Sequence, residues 1–364
     1  MLVLAVDTGK GTQDILLWET SEPFSNATQL VVPSPTKQME NILRTVPQKN
    51  ILLRGRGIMG GEPWNKLLYE RALTNKVIAG ETAAMSLKYS KDSVKSKGVE
   101  IVPDTRLEEL VAENPDFLVL ETQDINWSSL AQALKSLTGV DIYQSVDLVL
   151  LCAQDHGLPK QGTTIKESRF DLYLDGLAKR RELEQLLIGG EGLNNWPRLQ
   201  SNWNRARVLF PEQTQIFVMD SSPAVVLGGQ VALSKPDYSQ KARWIANFGN
   251  GHTIFALFDL SGEVHAVVET HTGLFRKDAG ASTRFYNLLQ SVNFTHDDIL
   301  AGNGHGAVIF SKPDNLEKTI FTVGPQRDLV SHQEELYPPI NPWGNMMMAG
   351  PIGMYSAYQT RFGQ

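Results

Sequence analysis

A strand, a glycine turn and a second strand occur in this order twice in the chain. Residues 2–18 read LVLAVDTGKGTQDILLW, with Gly9 and Gly11 in the turn between two apolar runs. Residues 243–258 read RWIANFGNGHTIFALF and repeat the order around another Gly-x-Gly turn. Apolar runs without polar alternation are typical of strands buried on both faces. The sequence therefore predicts two buried strands, each followed at once by a hairpin partner.

Glycine turns of this kind can bind anions. Because glycine has no Cβ, neighbouring backbone N–H groups can crowd together and point at one anion. Two such turns can face each other across a cleft and hold one polyphosphate from both sides. Asp7, at the end of the first strand, could hold a hydrated cation beside it. Each turn alone is equally compatible with an ordinary hairpin connection.

Length and composition limit the class of protein. A chain of 364 residues suggests two domains or lobes, and its net charge of −6 argues against non-specific nucleic-acid binding. The first apolar run lacks a basic leader and no run approaches transmembrane length, so we expect neither a signal peptide nor a membrane span. The single cysteine, Cys152, rules out multi-cysteine iron–sulfur or zinc sites. These features favour the cytoplasm.

Strands alternate with helices along the chain, which predicts an α/β architecture with a mixed sheet. Two segments between the strands carry less regular signals. We expect a long helix over residues 168–187, ending at the Gly189-Gly190 pair. We expect the tryptophan-rich residues 194–207 to be irregular.

Two loops are candidate sites for an acceptor substrate. In residues 54–63 (RGRGIMGGEP), Arg54, Arg56, Gly60 and Gly61 precede a predicted helix, and backbone amides with nearby arginines suit a carboxylate or phosphate. The alternative is a plain connection with solvent-facing arginines.

The second loop follows the apolar run at residues 147–152. Its polar residues, Gln154, Asp155 and His156, could position water or an acceptor hydroxyl, since the exits of central strands face the ligand crevice of α/β proteins. The alternative is a capped turn in which His156 bonds to backbone.

Five segments resemble, in order, those of the actin-like ATPase superfamily, which includes actin, heat-shock chaperone ATPases, sugar kinases and acetate kinases. The two glycine turns resemble its phosphate loops. Residues 220–229 are similar to the start of the first connecting helix, with Pro223 in its first turn. The strand ending at Gly324 resembles the adenosine loop, and residues 345–358 resemble the second connecting helix, where small residues permit close packing.

The resemblance implies an α/β, two-lobed actin-like ATPase fold with ribonuclease H-like lobes and a nucleotide cleft between them. The implied ranges are 1–233 for lobe I, 234–343 for lobe II and 344–364 for the second connecting helix. The implied cofactors are ATP and Mg²⁺, with Asp7 holding the metal through water. The implied cofactor-binding residues are Thr8, Gly9, Lys10, Gly11, Thr12, Asn247, Gly249, Asn250, Gly251 and Gly324.

Three acidic or basic side chains are candidates for catalysis beside Asp7. Asp14 could be a second carboxylate at the metal, or equally a solvent-facing strand residue. Residues 153–157 resemble the Gly-Gln-x-His-Gly loop of sugar kinases, which makes Asp155 or His156 the candidate base on the acceptor side.

The whole chain is also similar to a prokaryotic family often labelled pyruvate formate-lyase activating enzymes. The similarity lies in DTGKGTQDIL, in the MGGEP loop and in the closing MMAGPIG segment. A radical S-adenosylmethionine activase needs a three-cysteine cluster motif. Because this chain has one cysteine, we do not expect radical chemistry from it.

The expected function is that of an ATP- and Mg²⁺-dependent phosphotransferase or ATPase acting on a small anionic acceptor. Asn247 and Ser222 replace an aspartate and a glutamate of the chaperone ATPases, which favours a kinase-like enzyme or a weak ATPase over a chaperone-type ATPase. The same replacements motivate an alternative, a non-catalytic, nucleotide-dependent switch or activator of a partner protein. A Rossmann-type enzyme is disfavoured, because the first glycine turn leads into a strand rather than a helix.

Overall fold

Fourteen strands and fourteen α-helices form the part of the chain that the computed structural model describes, residues 1–159, 165–233, 241–278 and 280–363. The strands are β1 (Leu2–Thr8), β2 (Thr12–Glu19), β3 (Thr28–Pro33), β4 (Ile51–Gly55), β5 (Val77–Gly80), β6 (Val99–Val102), β7 (Leu118–Thr122), β8 (Leu148–Ala153), β9 (Gln215–Met219), β10 (Ala242–Phe248), β11 (His252–Phe258), β12 (Val264–His271), β13 (Gly306–Ile309) and β14 (Leu316–Val323). The helices are α1 (Pro35–Thr45), α2 (Trp64–Ala72), α3 (Glu81–Leu87), α4 (Lys91–Lys95), α5 (Leu107–Glu113), α6 (Trp127–Thr138), α7 (Ile142–Ser145), α8 (Ile165–Leu177), α9 (Pro197–Leu209), α10 (Ser221–Leu233), α11 (Gly273–Lys277), α12 (Ala281–Ser291), α13 (His296–Ala301) and α14 (Ala349–Phe362). None of these helices combines the length and the apolarity needed to cross a bilayer.

Two five-stranded sheets have related strand orders. The N-terminal sheet is ordered β3-β2-β1-β8-β9 and the C-terminal sheet β13-β12-β11-β10-β14. In each, the first strand of the lobe (β1 or β10) pairs antiparallel with the strand that follows it and parallel with one from much later in the chain. Four strands correspond, β3-β2-β1-β8 in one sheet and β12-β11-β10-β14 in the other, and this shared order confirms the predicted two-lobed actin-like ATPase fold. The lobe ranges stay a prediction, and residue 234 lies outside the described residues.

The unbroken apolar runs explain why β1 and β10 lie in the interior of their sheets, with a strand on either side. Nearly every residue of β1, β2, β8 and β10 is buried. The N-terminal sheet shares its core with α10 and α14, whereas much of the C-terminal sheet packs in a second core with α12. Both faces of the central strands are therefore covered, as their sequence predicts.

A third, smaller sheet is inserted between β3 and β8. Its four strands are all parallel, in the order β6-β5-β4-β7, and it has its own apolar core. The loop with the RGRGIMGGEP sequence leaves the carboxyl end of β4, as loops that approach ligands commonly do in parallel sheets.

The two connecting helices, α10 and α14, cross at very close range. A Cβ on Gly228 would lie 2.0 Å from the backbone oxygen of Ala349, and one on Gly353 would lie 1.8 Å from that of Ala224. Only glycine permits this approach of the two backbones, which confirms the predicted close packing. Pro223 lies in the first turn of α10, where its missing N–H breaks no helical hydrogen bond.

Two segment predictions were wrong. The helix expected over residues 168–187 ends at Leu177, after Gly176, and the chain continues through a separate 3-10 turn at Leu183–Leu186 whose leucines are buried. The segment expected to be irregular forms helix α9. Pro197 at its first position presets the helical φ, and this start signal outweighs the low helical propensity of the tryptophans.

Candidate functional site

The two glycine turns line one cavity. Its volume is about 1140 Å³, and its walls include residues 8–10 and 12 from the β1–β2 turn and residues 249–252 from the β10–β11 turn. Gly60, Gly61 and Gly324 also line it. The predicted cofactor-binding residues thus lie together, except that Gly11 is absent from the lining.

A backbone hydrogen bond closes the first turn, and Ser34, which follows β3, holds the turn in place. The Gly9 N–H donates to the Thr12 oxygen at 2.9 Å. Ser34 donates its N–H to the Gly11 oxygen at 3.1 Å and its hydroxyl to the Lys10 oxygen at 3.0 Å. These two carbonyl groups therefore point toward Ser34, which does not line the cavity.

The second turn repeats this construction. The Gly249 N–H donates to the His252 oxygen at 3.0 Å. Thr272, which follows β12, donates its N–H to the Gly251 oxygen at 3.0 Å and its hydroxyl to the Gly249 oxygen at 2.7 Å. Ser34 and Thr272 thus occupy equivalent places in the two lobes, and each orients a turn by donating hydrogen bonds to its carbonyl groups.

The two turns face each other closely. A Cβ on Gly11 would lie 2.7 Å from Asn250 Nδ2, and one on Gly251 would lie 3.7 Å from Lys10 Cδ. Asn250 is itself held by Gln326, whose amide donates to Asn250 Oδ1 at 2.8 Å. Both turns can therefore contact the same small ligand.

Gly324 lies directly against the second turn. Its φ of +101° belongs to the region that favours glycine, and a Cβ there would lie 2.4 Å from Asn247 Oδ1 and 2.6 Å from the Phe248 oxygen. A bare stretch of backbone consequently reaches the cavity beside Asn247, which is 8% exposed.

Two carboxylates are buried side by side at the base of the first turn. Asp7 and Asp14 are paired residues of the β1–β2 ladder, and both line the cavity although they are only 6% and 8% exposed. The Ser221 hydroxyl donates to Asp7 Oδ1 at 2.7 Å. Asp14 Oδ1 has no hydrogen-bond partner among the described residues. Asp14 is therefore not the solvent-facing strand residue that the sequence left possible.

Burial perturbs both acids. Burial raises the pKa of Asp7 to about 6, although Ser221 donates to it. Burial raises the pKa of Asp14 to about 8, and the negative charge of Asp7 contributes to this rise. A positive charge beside the two acids would therefore stabilise their ionised forms, and carboxylate oxygens are the ligands that Mg²⁺ prefers. The residues present fit the predicted metal.

Asp155 is buried, accepts four hydrogen bonds and does not line the cavity. Its Oδ1 accepts from the Tyr89 hydroxyl at 2.8 Å and the Gly157 N–H at 2.9 Å. Its Oδ2 accepts from the N–H groups of Arg198 at 2.8 Å and Leu199 at 3.1 Å. The structure therefore corrects its expected place: Asp155 anchors the start of α9 and has no oxygen facing a substrate.

Arg54 and Arg56 also lie away from the cavity. Both pair with Glu121, and Arg54 pairs in addition with Glu108 at 2.8 Å. The arginines that do line the cavity are Arg276 and Arg198, of which Arg198 is buried. It is held by two hydrogen bonds to Asp124, both 2.7 Å long.

A histidine cluster that the sequence analysis missed occupies another part of the wall. His156, His252, His271 and His305 all line the cavity. The imidazole centroids of His252 and His305 are 4.3 Å apart, and those of His271 and His305 are 4.0 Å apart. His156 lies further out, 5.4 Å from His252, so the predicted acceptor-side histidine is one member of a larger group.

The buried carboxylate of Glu269 lies behind this cluster. Its Oε1 is 2.9 Å from His252 Nδ1 and 3.0 Å from His305 Nδ1, and its Oε2 is 3.0 Å from Arg169 Nε. Burial would raise the pKa of Glu269, but Arg169 and the two histidines outweigh it and hold the pKa well below the usual range. Glu269 is therefore ionised.

Most of the chain matches the model of one protein family. A family model described as "Putative pyruvate format-lyase activating enzyme (DUF1786)" matches residues 59–329. The chain belongs to this family. The description names an activating enzyme, yet the sequence has only Cys152, which is buried in β8. The residues of this family member do not fit a cluster held by three cysteines.

Solved structures similar to the chain are distant in sequence. They include a Bacteroides thetaiotaomicron protein with actin-like ATPase fold and unknown function (9% identity, 96% of this chain and 95% of that chain covered, TM-score 0.37). MreB5 of Spiroplasma citri bound to ADP is 10% identical (99% and 96% covered, TM-score 0.34). The Aquifex aeolicus member of the Ppx/GppA family is 9% identical (100% and 91% covered, TM-score 0.28). No curated protein matches the chain.

Proposed function

We propose that this protein binds ATP with Mg²⁺ between its two glycine turns and transfers the terminal phosphate to a small anionic acceptor or to water. The observation that carries the proposal is the matched pair of turns facing each other across one cavity of about 1140 Å³. Each turn has carbonyl groups held by Ser34 or Thr272, and the N–H groups of residues 10–11 and 250–251 would serve a phosphate, since those of Gly9 and Gly249 close the turns.

The carboxylate pair supplies the metal position. Asp7 would hold Mg²⁺ through water and Asp14 would be the second acidic group. Bound Mg²⁺ neutralises charge on the phosphates. The hydrogen bond from the Ser221 hydroxyl fixes the orientation of Asp7.

The cavity walls suit an anionic ligand. Five lysine or arginine residues and three acidic residues are among the lining residues. Lys10 is 3.6 Å from Glu62, and its side chain is 40% exposed, so it can exchange this partner for a phosphate. The backbone at Gly324 offers a surface on which a flat adenine ring could lie.

The acceptor would bind between the glycine loop at residues 60–61 and His156, since both line the same cavity as the two turns. Burial first, and the Arg169 charge next, lower the pKa of His156 well below its usual value. A neutral imidazole can take a proton from an acceptor hydroxyl or from water. Of the two predicted candidates for the base, His156 is the one that lines the cavity, and it is the one that we propose.

Calorimetry with Mg-ATP, combined with a measurement of ADP formation, tests this function. Asp7→Asn should lower ADP formation at least about 100-fold, because it removes the carboxylate that serves the metal. Asp116→Asn, at an exposed position, is the matched control and should behave as the parent protein. A protein that binds no Mg-ATP, or an Asp7→Asn variant with unchanged turnover, would contradict the proposal.

A second candidate function is a nucleotide-dependent switch that acts on a partner protein. Two observations favour it. Asn247 brings an amide rather than a carboxylate to the second turn, and Ser222 is occupied by a hydrogen bond from Arg169 at 3.2 Å. Tight Mg-ATP binding without ADP formation, with a panel of carboxylates and sugars as acceptors, would favour the switch over the enzyme.

A further inference from the structure

Four of the seven histidines in the sequence lie in one wall of the cavity. Three neighbouring strands bring three of them together. His252 and His271 are direct partners in the β11–β12 ladder, and His305 comes just before β13, which pairs with β12. The register of the sheet therefore determines the spacing of these three imidazoles, although they come from separate parts of the sequence.

The three imidazoles have the spacing of a metal-ligand set. One ring nitrogen from each of His252, His271 and His305 lies within 4.8 Å of the others. Tetrahedral zinc with Zn–N bonds of about 2.0–2.1 Å holds its nitrogens about 3.3–3.4 Å apart. The spacings in the structure bracket this distance, since His271 Nε2 and His305 Nε2 are 2.8 Å apart and the three ligand nitrogens lie within 4.8 Å of one another.

Glu269 orients two of the rings for metal binding. Its Oε1 accepts a hydrogen bond from His305 Nδ1 at 3.0 Å and lies 2.9 Å from His252 Nδ1, which also contacts the amide nitrogen of Gln154. The His305 ring then keeps a lone pair on Nε2, the form in which a metal-binding histidine is usually held by a carboxylate. His305 Nε2 lies 2.8 Å from His271 Nε2, so the two nitrogens share one proton in a hydrogen bond. A bound cation would take the place of this proton.

The local charge also favours a cation. Arg169 lies between Glu269 and Asp220, at 3.0 Å from an oxygen of each, and all three side chains are at least 97% buried. Asp220 shares this guanidinium with Glu269, so Arg169 does not serve the charge of the Glu269 carboxylate alone. A divalent cation in front of the histidines would lower the cost of burying that charge.

We propose that His252, His271 and His305 form a binding site for a divalent transition-metal ion of the zinc class, separate from the Mg²⁺ position at Asp7 and Asp14. Imidazole ligands suit such ions, whereas Mg²⁺ prefers oxygen. Three protein ligands leave a fourth position open toward the cavity, where water or an oxygen of the acceptor binds. Glu269 is a positioning residue for this site.

Cobalt provides the most direct test, because Co²⁺ replaces zinc and its visible absorption reports the coordination. The full chain, treated with a chelator and then dialysed, is titrated with Co²⁺ alone and then with Zn²⁺ as a competitor. We expect one Co²⁺ per chain, with the intense bands of four-coordinate geometry, and full displacement by one Zn²⁺.

His271→Ala changes an exposed side chain, so the variant should fold, and it should bind Co²⁺ at least about 10-fold more weakly. His305→Ala should behave alike, and circular dichroism melting checks the fold of each variant. His332→Ala, an exposed histidine outside the cavity, is the matched control and should bind as the parent protein does. Absence of Co²⁺ binding by the parent, or equal binding by the folded His271→Ala variant, would overturn the proposal.

Discussion

Replacing Asp14 by asparagine should make the metal-free protein less sensitive to rising pH. The pKa of Asp14 is raised to about 8 by burial and by Asp7, whereas an unfolded aspartate titrates near about 3.9. Between these values the unfolded chain releases the proton and the folded chain keeps it. Raising the pH through this window therefore favours unfolding, and the stability present at low pH is lost as the pH approaches 8.

The size of the effect follows from the two pKa values. Between about pH 5 and about pH 8.5, Asp14 alone should lower the free energy of unfolding by about 4 kcal/mol. Asparagine has nearly the same shape and does not titrate, so Asp14→Asn should lack this loss. The loss that belongs to Asp7, whose pKa is raised to about 6, should remain in both proteins.

Urea unfolding followed by circular dichroism, without divalent cations, measures this difference across the pH range. Asp116→Asn, an exposed acid, should follow the parent curve. Mg²⁺ should stabilise the parent more as the pH rises, because it binds the ionised pair, and should stabilise Asp14→Asn much less. Parallel pH profiles for the parent and Asp14→Asn would refute the reasoning from burial.

Two further substitutions test the packing and the hydrogen bonds around the site. Gly353→Ala should lower the free energy of unfolding by about 1–3 kcal/mol, because its Cβ would lie 1.8 Å from the Ala224 oxygen. Gly273→Ala is the control and should change this free energy little, because there is open space around the new Cβ. Equal thermal melts for the two variants would contradict the close helix crossing. Asp155→Asn should lower the free energy of unfolding by about 3 kcal/mol, because it weakens the four hydrogen bonds that Asp155 accepts, two of them from the first N–H groups of α9, with Mg-ATP affinity retained in the folded fraction. Unchanged stability with lost turnover would instead assign Asp155 to catalysis.

The glycine turns could be predicted because their signal is local. An apolar run, a Gly-x-Gly turn and another apolar run specify a hairpin within about fifteen residues. Placing the two turns opposite each other required only that the second lobe repeat the first, and the strand orders do repeat. The pattern did not predict that Ser34 and Thr272 hold the carbonyl groups of the turns, because each follows the third strand of its lobe and is distant from its turn in the sequence.

The polar side chains around the turns were harder to place, because their surroundings come from distant parts of the chain. Arg54 and Arg56 look available for an anion in the sequence, but Glu121 contacts both of them. Asp155 looks like a base until helix α9, which the sequence analysis took as irregular, brings its first N–H groups to the carboxylate.

The histidine cluster was missed for a similar reason. His252 and His271 become partners only through the register of the β11–β12 hairpin, and His305 joins them through the next strand. The signal that could have revealed the pair is the polar turn at residues 259–262, about which the two histidines lie at nearly equal distances in the sequence.

A crystal structure of the protein with Mg²⁺ and a non-hydrolysable ATP analogue tests the central claim most directly. We expect phosphates in contact with the N–H groups of residues 10–11 and 250–251 together, Mg²⁺ next to Asp7, and the adenine ring near Gly324. A nucleotide bound elsewhere, or in contact with only one of the two turns, would contradict it.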